Sequence, residues 1–371
     1  MVASLSLYVT VTATLLCFVV PLSSAAFHFM SIGDWGCVPV GGFGARDERV
    51  VAKSFAEKAA NLSAKFVLNT GDSFYRCGVH SKSDEVWNST FEDVFHEHSM
   101  LVPWYSCIGN HDYGYPGSAE AEVEYVSPKN NRWVMPARYY YRRLVFPGEV
   151  NISLIVLDSS PCNKLYRGDD PKHWDPCGLH FDEKKCPGCS FHDNILKQDC
   201  NAQLEWLTSV LPTIPQEDWK IVMTHAPAHE LDVADLLTPL YHHNFELFVN
   251  GHLHRLQQYG VDGKEEMNFV TTGAGCWVKV PEASGGTDDT NVNDLELVVP
   301  LDGRTHTAAT RPPSMQADKV AQQEKVGAIH WQSVVAGYTA HTFEDNYQTL
   351  STHYFNYLGE LIHKISVQKR T

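Results

Sequence analysis

The chain has 371 residues, of which 43% are apolar and 20% are charged, and this balance is typical of a globular protein. Its formal net charge of -15 argues against a nucleic-acid backbone or an anionic membrane surface as the partner. An anionic substrate would therefore need local positive charge, and a bound metal ion is one source of it.

The N-terminal segment has the pattern of a secretory signal. The run from Leu5 to Leu22 is almost wholly apolar, and the small residues of "SSAAF" follow it near Ala26, where a cleavage site belongs. The match to a signal is imperfect, because no Lys or Arg precedes the run. The alternative is an uncleaved signal-anchor helix, because the run is nearly long enough to span a bilayer. We favour cleavage of residues 1–26. The mature chain is then expected to be secreted or delivered to a lysosomal or vacuolar lumen, without membrane contact.

Strands and helices alternate along the rest of the chain. In chain order, the pattern predicts a strand at Phe27–Ile32, a helix at Asp47–Leu62, a strand at Phe66–Asn69, a helix at Ser83–Glu97, and strands at Val102–Ile108, Tyr139–Phe146 and Ile152–Leu157. It then predicts a helix at Gln203–Leu211, a strand at Trp219–Met223, a helix at Val233–His242, and strands at Phe245–Asn250 and Met267–Thr272. This alternation is typical of a mainly parallel or mixed sheet system flanked by helices.

Two segments interrupt the alternation. Cys162–Cys200 is polar and rich in Cys, and Pro281–Lys325 is rich in Gly, Thr, Asp and Pro, as expected of a mobile insertion. Strand-like patterns resume at Ile329–Ala340 and Tyr357–Val367. We therefore expect residues 27–371 to form one domain.

The cysteines favour an oxidising compartment. Nine of the ten remain once Cys17 leaves with the signal, so at least one thiol is free or paired between chains. Five lie between Cys162 and Cys200, where we expect disulfides to brace a long loop. A zinc half-site or a redox pair at Cys186-Pro-Gly-Cys189 is less favoured, because no second C-x-x-C follows. Glycosylation sequons lie at Asn61, Asn88 and Asn151.

Five predicted strands end in a polar cluster. In chain order, these clusters contain Gly33-Asp34, Gly71-Asp72 with Tyr75, Gly109-Asn110-His111, His225, and Gly251-His252-Leu253-His254. In α/β sheets, ligands gather at the carboxyl ends of strands. One such Asp is usually a turn former, and one such His is more often structural. Five such clusters, each after a strand, indicate a metal centre. They contain too many ligands for one tetrahedral ion and suit two ions that share a carboxylate.

This order, GDxG…GDxxY…GNH…H…GHxH, resembles the metal-binding motifs of purple acid phosphatases, the tyrosine-containing branch of the calcineurin-like metallophosphoesterases. The short chain and "GNHD" are more similar to the small tartrate-resistant animal type than to the large plant type. The resemblance runs from about Phe27 to Trp277 and resumes near Ala336. It implies a four-layer α/β/β/α sandwich of two mixed sheets, built by a single metallophosphatase domain.

Carried over by position, the resemblance implies two sets of metal ligands around a shared carboxylate. A ferric iron would be bound by Asp34, Tyr75 and His254. A divalent ion, Fe(II), Zn(II) or Mn(II), would be bound by Asn110, His225 and His252, and Asp72 would bridge the two metals. A tyrosine phenol loses its proton near pH 10 in water, so a strong Lewis acid such as Fe(III) is needed to hold it as phenolate.

The resemblance also implies a mechanism in which a metal-bound hydroxide attacks phosphorus in line with the leaving group. His111 is then placed to bind the phosphate or to protonate the leaving alkoxide. The alternative is that His111 only orients Asp112 or packs at the turn.

The sequence departs from the family pattern at a second active-site His, which is expected nine residues after His225. Ala234 occupies that position, so either His229 replaces the family histidine from a shifted loop or the role is missing. His80 is a weaker candidate. His242 and His243 close a predicted helix and are interpreted as structural.

These observations predict a secreted, monomeric acid phosphatase that acts on a small phosphomonoester or a phosphoprotein. A phosphodiesterase of the same superfamily is the alternative, because the same metals can cleave diesters and loop shape decides between them. A non-catalytic iron-binding glycoprotein is disfavoured, because every ligand position is filled. The resemblance to mammalian members implies a loop over the active site at the segment that matches Cys162–Cys200, and the additional cysteines there are compatible with a lid braced by disulfides.

Overall fold

The structure of the chain is a computed structural model that describes residues 26–37, 45–168, 176–177, 186–261, 263–264, 267–276 and 328–370. The predicted signal, apart from Ala26, and the predicted insertion at 281–325 lie outside the described residues. Among the residues that are described, no helix is long and apolar enough to cross a membrane.

The described elements follow one another as the alternating pattern predicts. The first are β1 (Phe27–Ile32), α1 (Ala45–Leu62), β2 (Val67–Asn69), β3 (Trp104–Ser106), α2 (Ser118–Glu124), β4 (Trp133–Val134), β5 (Tyr140–Val145), β6 (Asn151–Val156), α3 (Lys164–Arg167) and α4 (Phe191–Leu196). They are followed by α5 (Cys200–Val210), β7 (Trp219–Met223), α6 (Leu237–His242), β8 (Leu247–Asn250), β9 (Leu256–Tyr259), β10 (Asn268–Thr272), β11 (Ile329–Ser333), β12 (Gly337–Glu344), β13 (Thr349–Asn356) and β14 (Leu361–Gln368).

The strands form two mixed sheets of seven strands each. The first has the order β14-β13-β12-β1-β2-β3-β4 and the second the order β11-β9-β10-β8-β7-β6-β5. In the first sheet β1 to β4 are parallel, and β12 pairs antiparallel with β1. In the second sheet β6, β7, β8 and β10 are parallel. The parallel strands of each sheet therefore deliver their carboxyl ends to one edge.

The two sheets face each other across an apolar core, and helices cover their outer faces. Phe27 of β1 lies against Phe146, with 4.5 Å between ring centroids, and Phe343 of β12 lies 5.1 Å from Trp219 of β7. Helix α1 packs on the first sheet through Phe55. Helices α5 and α6 share a second apolar cluster with strands of the second sheet. This arrangement is the predicted α/β/β/α sandwich.

Two predicted helices are shorter than expected. Within Ser83–Glu97 only a π-helical turn forms, at Trp87–Glu92. There the ring of Trp87 stacks on that of Tyr125, with 3.5 Å between the ring centroids. The buried guanidinium of Arg132 donates a hydrogen bond to the carbonyl oxygen of Phe95. These tertiary contacts replace further helical turns. The helix predicted at Val233–His242 begins only at Leu237, after the Asp235 side chain accepts from the Thr238 amide.

The C-terminal strands were predicted less well than the site-bearing ones. The run Ile329–Ala340 is divided between the two sheets, because β11 joins β9 and β12 joins β1. The run Tyr357–Val367 contributes β14, whereas β13 was not predicted. Strands β4 and β9 were not predicted either, since both are short and β9 carries two glutamines.

Candidate metal centre

The strand ends that the sequence singled out meet at one place between the two sheets. The first sheet supplies the residues that follow β1, β2 and β3, and the second sheet supplies those that follow β7 and β8. Most of the predicted ligands are buried, and the His254 side chain is 23% exposed. The side chains form two groups that share Asp72.

The first group surrounds the Tyr75 hydroxyl. Its oxygen lies 2.9 Å from Asp72 Oδ2, 2.9 Å from His254 Nε2 and 3.2 Å from Asp34 Oδ1. His254 Nε2 is in turn 3.3 Å from Asp34 Oδ1. Ligand atoms of Asp34, Asp72 and His254 all lie within 4.8 Å of one another, a spacing that could hold a metal ion.

The second group surrounds the side-chain oxygen of Asn110. This oxygen lies 3.0 Å from His225 Nε2 and 3.0 Å from His252 Nδ1. His225 Nε2 is also 3.3 Å from Asp72 Oδ1. Asp72 therefore turns one carboxylate oxygen to each group.

The backbone at these positions is strained in a way that serves the site. Four predicted ligands have a left-handed backbone, with φ of 56° at Asp34, 51° at Asp72, 70° at His252 and 46° at His254. This conformation is uncommon for residues other than glycine and concentrates at functional sites.

Glycines also leave room for the two carboxylates. A Cβ atom on Gly109 would lie 2.1 Å from Asp72 Oδ1, and one on Gly251 would lie 2.5 Å from Asp34 Oδ2. Both distances are below contact separation. These glycines are therefore needed for space beside the ligands.

Neighbouring groups orient the ligands and join their loops. The Nδ1 of His225 donates to the Thr70 carbonyl at 2.8 Å, which leaves Nε2 facing Asn110. The Asp112 carboxylate accepts from the amides of Gly109 at 2.8 Å, Ser73 at 3.1 Å and Phe74 at 3.2 Å, so it ties the loop after β3 to the loop after β2.

The electrostatics of the site favour a cation. Burial raises the pKa of Asp34 to about 7, a rise that the charge of His225 opposes and the charge of Asp72 supports. Burial, together with the Asp34 and Asp72 carboxylates, raises the pKa of Tyr75 well above its usual value. Burial lowers the pKa of His225, but the Asp72 and Asp34 carboxylates and the Thr70 carbonyl together raise that pKa to about 10. A bound cation would relieve this crowding of acidic groups, and the donor set of carboxylate, phenol, imidazole and amide fits metal ions.

His111 lies at the same site as the ligands. Its ring is buried, its Nδ1 is 2.6 Å from the Arg76 carbonyl, and its centroid is 4.5 Å from that of the Tyr75 ring. Its backbone amide donates to Asp72 Oδ1 at 2.9 Å. The backbone amide of His111 is thus fixed by the Asp72 carboxylate, and the orientation of its ring is set by the contact with the Arg76 carbonyl.

The other histidines fall at different places. His229 lies in the turn after β7, and its Nε2 is 3.9 Å from Glu230 Oε1. His80 is exposed and stacks on Tyr115 at 3.8 Å. His242 and His243 close α6, as predicted.

Two residues near His252 were not predicted. Glu230 Oε2 lies 3.3 Å from His252 Nε2, and the Tyr166 hydroxyl lies 3.5 Å from the same atom. The signal for Glu230 was a carboxylate next to His229 in the stretch that follows β7. Tyr166 had no signal in the sequence.

Disulfides brace the Cys-rich segment, as predicted. Its cysteines form Cys162–Cys200 and Cys177–Cys189, and Cys186 pairs with Cys77, two residues past Tyr75. Cys37 pairs with Cys276, and the remaining cysteine of the described residues, Cys107, is a buried free thiol. Residues 169–175 and 178–185 of this segment lie outside the described residues.

The comparisons with known proteins identify the family to which the chain belongs. The family described as calcineurin-like phosphoesterase matches residues 27–256, and the chain belongs to that family. Among its relatives, the tartrate-resistant acid phosphatase type 5 of Sus scrofa is 30% identical over 268 residues, which cover 67% of this chain and 69% of that protein. The resemblance to purple acid phosphatases is thereby confirmed, and the protein is a phosphatase.

Solved structures share the fold at lower identity. GAP50, the anchor in the inner membrane complex of Plasmodium, aligns with a TM-score of 0.56 and 17% identity over 94% of this chain and 90% of that chain. The purple acid phosphatase PPD1 of yellow lupin (Lupinus luteus) seeds aligns with a TM-score of 0.52 and 12% identity over 93% of this chain and 54% of that chain. At these identities the two structures support the fold alone.

Proposed function

We propose that the chain hydrolyses phosphomonoesters at a dinuclear centre of Fe(III) and a divalent ion, Fe, Zn or Mn. The observation that carries this proposal is the Asp72 carboxylate, whose Oδ2 faces Tyr75 and whose Oδ1 faces His225. A carboxylate placed between two groups of ligands is what a pair of ions needs as a bridge.

The residues of each group have separate parts in this proposal. Asp34, Tyr75 and His254 would hold the ferric ion, and Asn110, His225 and His252 would hold the divalent ion. When bound, the two ions would supply an activated water and neutralise charge on the phosphoryl oxygens.

His111 is the residue that we assign to the leaving group. Its Nδ1 faces the Arg76 carbonyl, an acceptor, so a proton held on Nδ1 fixes the direction of the ring. The opposite atom, Nε2, would then contact the phosphate or deliver a proton to the leaving alkoxide. His229 is the second candidate for this task, because it lies in the turn that directly follows His225.

We also propose that the enzyme works outside the cytosol, as a secreted or lysosomal or vacuolar protein. Four disulfides among the described cysteines support an oxidising compartment. The signal at 1–26, glycosylation and a monomeric state are part of this proposal. A small phosphomonoester or a phosphoprotein is the proposed substrate.

The test measures metal content, visible absorption and hydrolysis on the purified protein. We expect two metals per chain, a broad visible band from an Fe(III)-phenolate contact, and hydrolysis of p-nitrophenyl phosphate with an acidic optimum. Tyr75→Phe should lose the band, because it removes the phenolate. Tyr139→Phe, which packs on Trp206, is the control and should keep the band.

Other outcomes separate the alternatives. Faster hydrolysis of bis(p-nitrophenyl) phosphate than of the monoester would indicate a phosphodiesterase. Two bound metals without any hydrolysis would indicate a non-catalytic iron protein. A chain that takes up one metal or none after loading with iron and zinc would contradict the dinuclear centre.

A further inference from the structure

The ring of His252 lies between two oxygen groups on opposite sides. Its Nδ1 is 3.0 Å from Asn110 Oδ1, on the side of the second ligand group. Its Nε2 is 3.3 Å from Glu230 Oε2, on the far side. An imidazole that binds a metal through one nitrogen carries its hydrogen on the other, and an acceptor beside that hydrogen decides which nitrogen is available.

Glu230 is itself held in place by the Cys-rich segment. Its Oε2 accepts from Asn163 Nδ2 at 3.1 Å, and Asn163 Oδ1 accepts from the Leu165 amide at the start of α3. The amides of Asp232 and Val233 both donate to the Cys162 carbonyl at 3.0 Å. The turn that carries Glu230 is therefore fastened to the segment that the Cys162–Cys200 disulfide closes.

Glu230 is also a costly residue to bury. It is 9% exposed, and a buried carboxylate costs free energy unless its surroundings compensate it. The Asn163 amide supplies one such partner, and the Nε2 side of His252 supplies a second polar neighbour. Such an arrangement is typical of a carboxylate that orients a metal-binding histidine.

We propose that Glu230 is a positioning residue for the divalent metal. Its carboxylate attracts the hydrogen of His252 to Nε2, and so keeps the Nδ1 lone pair directed toward Asn110. The inference rests on the proposed function, because it assigns His252 to the second of two metals. Through Asn163, it also connects that metal to the disulfide-closed segment.

The test compares variants of the full chain after loading with iron and zinc. Glu230→Ala removes the carboxylate, Glu230→Gln keeps its shape and an acceptor oxygen, and Asp232→Asn is the matched control. The Asp232 carboxylate lies in the same stretch of chain but accepts from the Lys164 amide. Zinc affinity is measured by competition with a chelator, alongside metal content and the Tyr75 visible band.

We expect Glu230→Ala to weaken zinc binding by about 10- to 100-fold, Glu230→Gln by less, and Asp232→Asn not at all. The iron content and the visible band should stay unchanged in all three, because Tyr75 and Asp34 belong to the other group. This difference between the two metals is what a merely structural role would not produce. Should Glu230→Ala not fold, the near-isosteric Glu230→Gln carries the test alone.

Three results would overturn the assignment. Zinc affinity in Glu230→Ala equal to that of the wild type would show that the carboxylate does not act on His252. Equal loss of both metals would indicate general damage to the site. A loss in Tyr166→Phe as large as in Glu230→Ala would assign the ring orientation to Tyr166. If the wild-type chain itself binds fewer than two metals, the proposed dinuclear centre is wrong, and this result is distinct from a failure of the Glu230 assignment.

Discussion

At the positions around the candidate metal centre, the available space restricts which side chains can be accommodated, in addition to the chemistry that the site requires. Gly109→Ala tests this limit, because its Cβ would lie 2.1 Å from Asp72 Oδ1 and 2.2 Å from the Asp72 amide nitrogen. We expect kcat/KM for p-nitrophenyl phosphate to fall by about 100-fold or more, since displacement of a catalytic group by about 1 Å costs that much. Gly168→Ala is the control, because its nearest neighbours are 3.8 Å away. Unchanged activity and metal content in Gly109→Ala would show that the loop has room to move.

A second test at this scale concerns His111. If it protonates the leaving group, His111→Ala should lower kcat by about 100-fold or more for an alkyl phosphate, whose leaving alkoxide needs a proton. The loss should be smaller for p-nitrophenyl phosphate, because p-nitrophenolate leaves without one. His80→Ala, at the exposed surface, should leave both rates unchanged. Equal losses on the two substrates, or loss of metals, would instead favour a packing role.

The predicted ligands come together because each of the five clusters follows a strand, and four of the clusters contain a glycine before the first predicted ligand, so position along the chain indicated position in space. Glu230 could not be predicted in this way. It reaches His252 from a turn, and its neighbour Asn163 comes from a segment 67 residues earlier in the chain. Contacts between turns depend on how the loops fold over the sheets, and no local pattern records that.

At the scale of elements, predictions succeeded where burial alone decides the structure. β7 and β8 are buried throughout, and their sequences are short, mostly apolar runs that predict buried strands. The helix predicted at Ser83–Glu97 was mostly wrong, since Trp87 and Phe95 are taken up by contacts with Tyr125 and Arg132. Strand β13 was missed because its polar and apolar residues do not alternate simply, although all eight of its residues pair with β12 and seven of them also pair with β14.

At the scale of the whole molecule, a strand from the C-terminal part of the chain pairs with the first described strand. Strand β12 pairs with β1 over five residue pairs, from Phe27↔Phe343 to Ser31↔Thr339. We propose on this basis that residues 27–371 fold as one domain. This pairing means that the position of β1 depends on the C-terminal part of the chain. It also places buried polar side chains at the contact between β1 and β12.

One of these buried groups, His341 on β12, can gain a proton in the acidic range. Its Nε2 lies 2.8 Å from Ser31 Oγ, its Nδ1 lies 2.9 Å from Thr352 Oγ1, and its ring stacks on Phe29 at 4.4 Å. Burial, with a smaller contribution from His353, lowers its pKa from 6.5 to about 3. The unfolded chain therefore binds a proton below pH 6.5 that the folded chain does not bind until about pH 3, so stability falls as pH decreases through this range.

His341 therefore lowers the free energy of unfolding in the acidic range where the enzyme is proposed to work. Between pH 7 and pH 4.5, His341 should cost the folded state about 2–3 kcal/mol of unfolding free energy. His341→Gln keeps hydrogen-bonding groups but cannot titrate, so it should lose less stability over this interval, even if it is less stable at pH 7. Urea unfolding at the two pH values measures both differences, with His80→Gln as the surface control. An equal loss in wild type and His341→Gln would mean that other groups, such as the buried carboxylates around Asp72, govern the acid sensitivity of the whole fold.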